Sequence, residues 1–430
     1  MERATVTFAG ARQVSAPATC AQRQIWTAIS KRLPDAGFYS QLYRVTLYSG
    51  PTLSQVLAAV RDVVAAHESL RTTVSWDGGQ LVQHVLGSGE VTVDLADLEP
   101  GQTSGEAFRE WERVMLRTGF RFEVDVPVRV LVAGERGVPV LAGFCVSHLS
   151  VDLTALRVVV AEFLARLGGA RPLPEYRPPV EHAAYERSPR GRRALDRGLA
   201  YWRRHTADAP PPAFPEQRSG HNATLAMDSP AAAAATLVLA RRYQVSSGAV
   251  LLAAASRVLG RAAGQAHVGL RLLVANRFAP ELRTAVANLH QEVPVTVAVD
   301  APFGETARTA LRVSLAAYAR GHYDPDEVAE VVREHQAENA FPLCFNDIRE
   351  KRGVLPASVD MPLPPTSQTV LTEHQFQEAE PFFLTVDGDE SRWLRFLLST
   401  DTAAMPPEEA RRFLLALEAA LVGAASSPPT

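Results

Sequence analysis

The sequence predicts a mixed α/β protein made of two domains of similar size, and three observations predict it. The chain has 430 residues, more than one ordinary core supports, which points to two domains of about 200 residues each. Short valine-rich runs alternate with apolar stripes at helical spacing in both halves. Between the halves, residues 168–193 form a stretch full of Gly, Pro and charge, the composition of a linker. The expected organisation is therefore a first domain over 1–167, a linker over 168–193 and a second domain over 194–430.

In the first half, Leu53–Leu70 sets Val56, Val60, Val63, Val64 and His67 at helical spacing, with Thr52 available as the cap. Pro127–Val132 and Val138–Val146 are apolar runs separated by Gly134–Gly137 and read as paired strands. Thr154–Leu167 follows directly, with Leu156, Val159, Val160, Phe163, Leu164 and Leu167 as one apolar helical stripe. The local order is strand, tight turn, helix.

The second half begins with a proline-rich surface loop at Ala209–Gln217, followed by a helix over Val245–Gly260 capped by Ser246 or Ser247. Val268–Ala275 and Val293–Val299 read as strands, the latter strictly alternating. Phe382–Val386 and Trp393–Ser399 flank Asp387-Gly388-Asp389, the pattern of a hairpin. Pro406-Pro407-Glu408-Glu409 opens a closing helix that runs through Leu421, with proline and acids in its first turn.

Composition narrows the function. The chain is 47% hydrophobic and 21% charged with a formal net charge of -3, so no global basic field exists to attract nucleic acid. The basic cluster Arg187–Arg197 is interrupted by acid and reads as a solvated face. Cys20, Cys145 and Cys344 lie far apart with no C-x-x-C pair, which argues against disulfide staples and a thiolate zinc site. Cys145 reads as a small core residue. The N-terminus lacks the apolar stretch of a signal peptide, and the most apolar run, Ala231–Ala240, is too short to span a bilayer. The expectation is a cytoplasmic protein with no nucleic-acid or membrane partner.

Chemistry concentrates in Phe144–Ala155, which carries Ser147, His148, Ser150, Asp152 and Thr154 at a strand end just before a helix. Ser147 and His148 are not a nucleophile–base pair, because neighbouring strand residues point to opposite faces, and no G-x-S-x-G elbow occurs. His148 with Asp152, His67 or His182 lacks the spacing of metal ligands, and no metal is expected. Residue types alone leave His148 and Asp152 open between a structural and a catalytic role.

Ser147–Leu153 is similar to the His-His-x-x-x-Asp-Gly signature of the condensation domains of nonribosomal peptide synthetases, relatives of chloramphenicol acetyltransferase. The rest of the chain supports the resemblance in order. Ala21–Trp26 resembles the family's opening Ala-Gln-x-x-x-Trp, and His67–Thr72 resembles its His-Glu-x-Leu-Arg-Thr, with Gln83 following. Tyr201-Trp202, Val274–Arg277, Val286–Asn288, Val293–Val295 and Phe345-Asn346 match later elements. The similarity spans about Ser15 to Leu421.

This resemblance implies two acetyltransferase-like lobes in a V-shaped pseudo-dimer with a central tunnel. It implies a free-standing condensation-type acyltransferase that joins a carrier-bound acyl or aminoacyl thioester to an amine or hydroxyl in natural-product biosynthesis. The chain itself would bind no cofactor; acyl or peptidyl carrier proteins would supply the phosphopantetheine arm, and the acceptor would be a small molecule or carrier-bound. His148 takes the position credited with chemistry. Asp152 would be structural, with Arg277 its natural partner, while His67, Glu68 and Arg71 would be structural too. Leu153, Thr154 and Asn346 would line the tunnel. Two positions depart from the signature. Ser147 replaces the first histidine, which costs a supporting role, and Leu153 replaces the glycine, which is expected to narrow the tunnel or shift the turn. These departures keep a second function open: a catalytically impaired platform that binds carrier proteins or recruits tailoring enzymes. A variant chemistry such as cyclisation or dehydration is a third.

Overall fold

The computed structural model describes residues 2–33, 36–170, 176–214, 221–335, 337, 341–349, 363–366, 369–374 and 382–427. The chain folds into two compact units, the first Met1–Leu195 with Ala275–Gln291, the second Asp196–Val274 with Glu292–Thr430. The segment 275–291 thus belongs with the first unit, whereas its sequence position had assigned it to the second half. The expected linker is largely helical where it is described.

In the first unit the order is β1 (Glu2–Ala9), β2 (Val14–Pro17), α1 (Cys20–Ser30), β3 (Ser40–Thr46), α2 (Leu53–Ala66), β4 (Thr72–Asp77), β5 (Gln80–Val85), β6 (Ser88–Asp97), α3 (Ser104–Thr118), β7 (Val128–Glu135), β8 (Val138–Ser147), α4 (Leu153–Leu167) and α5 (Pro179–Arg187). Helices α1, α2 and α3 each start on a capping box, Thr19 with Gln22, Thr52 with Gln55 and Thr103 with Glu106. A five-stranded sheet runs β1-β6-β7-β8-β3, and a small sheet runs β2-β5-β4.

Side-chain alternation divides the larger sheet between two cores. Val130, Val132, Phe144 and Val146 pack with α2 and α4, while Leu131, Ala133, Leu141 and Cys145 pack with Phe108, Trp111 and Met115 of α3. Leu156, Val159, Val160 and Phe163 of α4 are buried as the stripe requires; burial of Phe163 alone contributes about 1.5–3 kcal/mol. Leu164 departs from the expected stripe and is 43% exposed, because one residue beyond Phe163 turns about 100° away from the sheet. Helix α2 also stops earlier than its apolar spacing suggests. His67 caps it in extended conformation, and Glu68–Arg71 form a short 3-10 turn.

In the second unit, α6 (Pro189–Ala207) contains the division between the units. It is followed by β9 (Asn222–Ser229), α7 (Pro230–Tyr243), α8 (Ser247–Ala263), β10 (His267–Val274), β11 (Gln291–Ala298), α9 (Phe303–Tyr318), α10 (Pro325–Glu334), β12 (Leu343–Asp347), β13 (Val370–His374), β14 (Phe382–Asp389), β15 (Trp393–Asp401) and α11 (Pro407–Ser426). The seven strands order as β11-β10-β12-β14-β15-β9-β13. Ser246 caps α8 through the backbone N–H of Ala249. The hairpin β14–β15 forms, but its turn lies beyond Asp387–Asp389. Asp387 pairs with Arg395 and Asp389 with Trp393, and Asp389 Oδ1 accepts from the N–H and hydroxyl of Ser391. The Ala231–Ala240 run is part of the buried α7. Among the described residues no helix is long and apolar enough to cross a membrane. Part of the expected loop, residues 215–217, lies outside the described residues.

Candidate active site

Strand β8 delivers its polar end to a tight turn. Ser147 is the last strand residue, on the same face as Cys145 by alternation, and is buried. Its carbonyl accepts from the N–H groups of Ser150 and Val151 at 2.9 and 3.2 Å, and its Oγ accepts from the N–H of Leu149 at 3.3 Å. Leu149 and Val151 sink into separate apolar clusters, so the turn is anchored on both sides of His148. Ser147 therefore serves the turn. Cys145 is no nucleophile, since burial pushes its thiol up to about 12.

His148 itself is half-buried, with its backbone N–H donating to Tyr39 O at 2.8 Å. Its Nδ1 lies 2.9 Å from the carbonyl oxygen of Val151. A carbonyl only accepts, so Nδ1 carries the proton and the neutral ring keeps its lone pair on Nε2. Among the described residues Nε2 makes no hydrogen bond. Burial lowers the imidazole from its ordinary value of 6.5, and the Val151 carbonyl and the charge of Asp152 offset only part of this. The ring is a neutral base at physiological pH.

Asp152 caps α4 and is saturated. Oδ1 accepts from Ala155 N–H and from Arg277 Nη2, both at 2.8 Å. Oδ2 accepts from Arg277 Nη2 at 2.9 Å and from the Leu289 N–H at 3.1 Å. Both side chains of the ion pair are buried, at 8% and 6% exposure, so the pair depends on this complete set of bonds. Arg277 also donates Nη1 to the carbonyls of Leu282 and Ala285 at 3.0 and 2.7 Å, organising the segment 275–291 around its guanidinium. Asn276 makes the turn into that segment at a φ of 52°, a left-handed conformation that asparagine tolerates, and donates Nδ2 to Leu289 O at 2.9 Å.

Leu153 and Thr154 open α4 and are half-buried. Leu153 sits in the first helical turn rather than at positive φ, so leucine causes no backbone strain there. It stands outside the apolar cluster that α4 buries. Asn346 lies on β12 of the second unit, half-buried and in register with Thr385 of β14.

Sequence reasoning missed His290. Its ring stacks on that of His148 with centroids 4.8 Å apart and planes 21° apart. Its Nδ1 is 2.7 Å from Asn288 Oδ1. No sequence spacing ties position 290 to position 148; only the return of the segment 275–291 to the first unit joins them. His67, by contrast, is fully engaged, with Nδ1 2.8 Å from the Tyr176 hydroxyl and Nε2 2.5 Å from Glu162. Glu68 pairs with Arg12 at 2.5 Å, and the buried Arg71 donates to the carbonyls of Arg12 and Leu86.

Residues 12–349 match the family model described as condensation domain. The chain belongs to the condensation-domain family. The condensation domain is 25% identical over 354 residues to a probable non-canonical nonribosomal peptide synthetase, CymA, of Salinispora arenicola (strain CNS-205), covering 77% of this chain and 4% of that protein. It is 27% identical over 366 residues to the isonitrile lipopeptide synthase of Mycobacterium tuberculosis (strain ATCC 25618 / H37Rv), covering 78% of this chain and 14% of the relative. This condensation domain thus spans a small fraction of the length of these curated relatives. Among solved structures, the condensation domain of the Monacolin K polyketide synthase MokA superposes with a TM-score of 0.78 at 15% identity, over 96% of this chain and 98% of the other. The fold is the chloramphenicol acetyltransferase-like fold of condensation domains.

Proposed function

We propose that this condensation domain is a working acyltransferase that joins an acyl or aminoacyl thioester, carried on the phosphopantetheine arm of a carrier protein, to an amine or hydroxyl acceptor. One observation carries the reading: His148 holds its proton on Nδ1 against the Val151 carbonyl, which leaves the Nε2 lone pair unbonded among the described residues. In the proposed reaction the acceptor heteroatom attacks the thioester carbonyl while its proton passes to Nε2. The tetrahedral intermediate then collapses, the carbon–sulfur bond breaks, and the departing thiolate takes the proton from the imidazolium. The products are an amide or ester and the free thiol of the arm. Asp152 and Arg277 position the turn and the segment 275–291, and the four bonds to its carboxylate oxygens support a structural role for Asp152 rather than that of the base. Leu153, Thr154 and Asn346 are proposed to contact the donor chain.

A second reading, a platform that binds carrier-borne substrates without turnover, is favoured by Ser147 in the place of the signature's first histidine. Incubation with acyl-loaded carrier proteins, followed by intact mass spectrometry, separates the two. Loss of the acyl mass from the donor with its gain on an acceptor supports catalysis. Stable binding with the acyl group left on the donor overturns it and supports the platform.

A further inference from the structure

We propose that His290 is the positioning residue for His148: its stacked ring fixes the plane of the candidate base and shields one face from water. The proposal rests on the reading of His148 as the base. A single hydrogen bond at Nδ1 sets the tautomer of His148 but leaves the ring free to pivot about that contact. A stacked partner at a centroid distance of 4.8 Å and 21° from parallel removes that freedom.

His290 is itself held from two sides. Asn288 Oδ1 lies 2.7 Å from its Nδ1, and the N–H of Leu289, the residue before it, is bound to Asp152 Oδ2 at 3.1 Å. Asp152 follows His148 by one helical turn's length of chain and caps α4 with its other oxygen. One carboxylate therefore fastens the backbone beneath both imidazoles, and the stack is a consequence of the Asp152–Arg277 bond. That gives the ion pair a reason to sit where it does. The second imidazole of the site comes from the segment 275–291, while the motif position 147 holds a buried serine.

The groups acting on the two rings are Asp152, Arg277 and the rings themselves. Burial, and then the neighbouring His148, pull His290 down to about 3. His290 thus stays neutral across the working range and does not compete for the proton that Nε2 accepts. Removing its ring admits water to His148 and lets the imidazole rise toward 6.5.

The test compares wild type, His290→Ala and His290→Phe, the last keeping a flat stacked ring without nitrogens. Nitrogen-detected NMR of the His148 side chain reports tautomer and titration without any need for turnover. Steady-state transfer from acyl-loaded carrier protein reports kcat and KM. In His290→Ala the His148 titration should move up, the Nδ1–H tautomer should lose dominance, and kcat should fall about tenfold with KM nearly unchanged. His290→Phe should recover most of kcat and the wild-type titration. Unchanged His148 titration and tautomer in His290→Ala would overturn the proposal, as would a His290→Phe protein as impaired as the alanine variant. If the alanine variant fails to fold, His290→Gln takes its place with the same expected shift. Should wild type transfer nothing, the reading of His148 as base fails, and the NMR comparison still decides whether His290 positions the ring.

Discussion

Two histidines of the first unit, both singled out by sequence, end in opposite situations. His67 closes α2 with both nitrogens engaged, by the Tyr176 hydroxyl and the Glu162 carboxylate, and Glu162 is bound in turn by Arg166. His148 closes β8 with one nitrogen engaged and the other open among the described residues. Both sit at the end of an element and both hold motif positions, so motif membership does not tell them apart. Hydrogen-bond accounting does. A doubly bonded imidazole is a fastener, whereas a ring held at Nδ1 alone keeps a lone pair for a substrate proton.

The widest separation should come from activity. His148→Ala should slow acyl transfer by a hundredfold or more, roughly the contribution of a general base, while its urea-unfolding free energy stays within about 1 kcal/mol of wild type. His67→Ala should do the reverse, losing about 3 kcal/mol of stability because Glu162 and Tyr176 are left buried without their partner, with kcat per folded molecule retained. Equal activity losses in the two variants would erase the distinction.

Next in size is the anchor of the His148 turn. Asp152→Ala leaves Arg277 buried without its carboxylate and should cost about 3–5 kcal/mol, seen as a lowered melting temperature or insoluble protein. A melting temperature at the wild-type value would mean the Asp152–Arg277 bond does not hold the turn.

The two histidine sites should also respond at different acidities. Burial alone would raise Glu162, but the bonds from His67 and then Arg166 outweigh it and hold the carboxyl below its ordinary 4.5. A depressed carboxyl contributes stability that is fully present above 4.5 and is lost as pH falls through the folded value. Unfolding free energy should therefore drop with pH below 4.5, and Glu162→Gln should flatten that slope. Transfer activity, set by His148, should decline only below 6.5. An acid loss of stability that Glu162→Gln leaves untouched would remove Glu162 from this account.

The smallest effect belongs to Leu153. Its side chain is half-buried outside the α4 cluster, so Leu153→Gly should widen the range of accepted donor acyl groups by a few-fold in relative kcat/KM for the bulkiest, within the discrimination a hydrophobic pocket offers. Kinetics across donors of increasing size measure this, and an unchanged profile would place Leu153 away from the donor.

Much of this was legible in the sequence because it is local. The valine-rich runs of β7 and β8, the Thr52 cap and the α4 stripe all follow from composition and spacing over a few residues. The boundary misjudgements have separate causes: tertiary bonds hold His67 where α2 ends, Leu164 turns away from the sheet one residue past Phe163, and local bonds from Ser391 to Asp389 shape the β14–β15 turn. His290 was illegible for a deeper reason. The matched stretches Val286–Asn288 and Val293–Val295 flank it without marking it, and its role depends on Asn276 and Arg277 folding the segment 275–291 back onto the first unit. The motif's departures were readable as departures but not as consequences. Only its place in the first turn of α4 shows that the leucine at position 153 is free of backbone strain.

The central claim is that the open Nε2 of His148 accepts the acceptor's proton during acyl transfer. Single-turnover transfer from an acyl-loaded carrier protein, quenched and read by intact mass between pH 5 and 8 in wild type and His148→Ala, tests it directly. The account predicts transfer by the wild type with an acidic limb below 6.5, and a folded His148→Ala protein slower by a hundredfold or more throughout. Transfer by His148→Ala at the wild-type rate would contradict it.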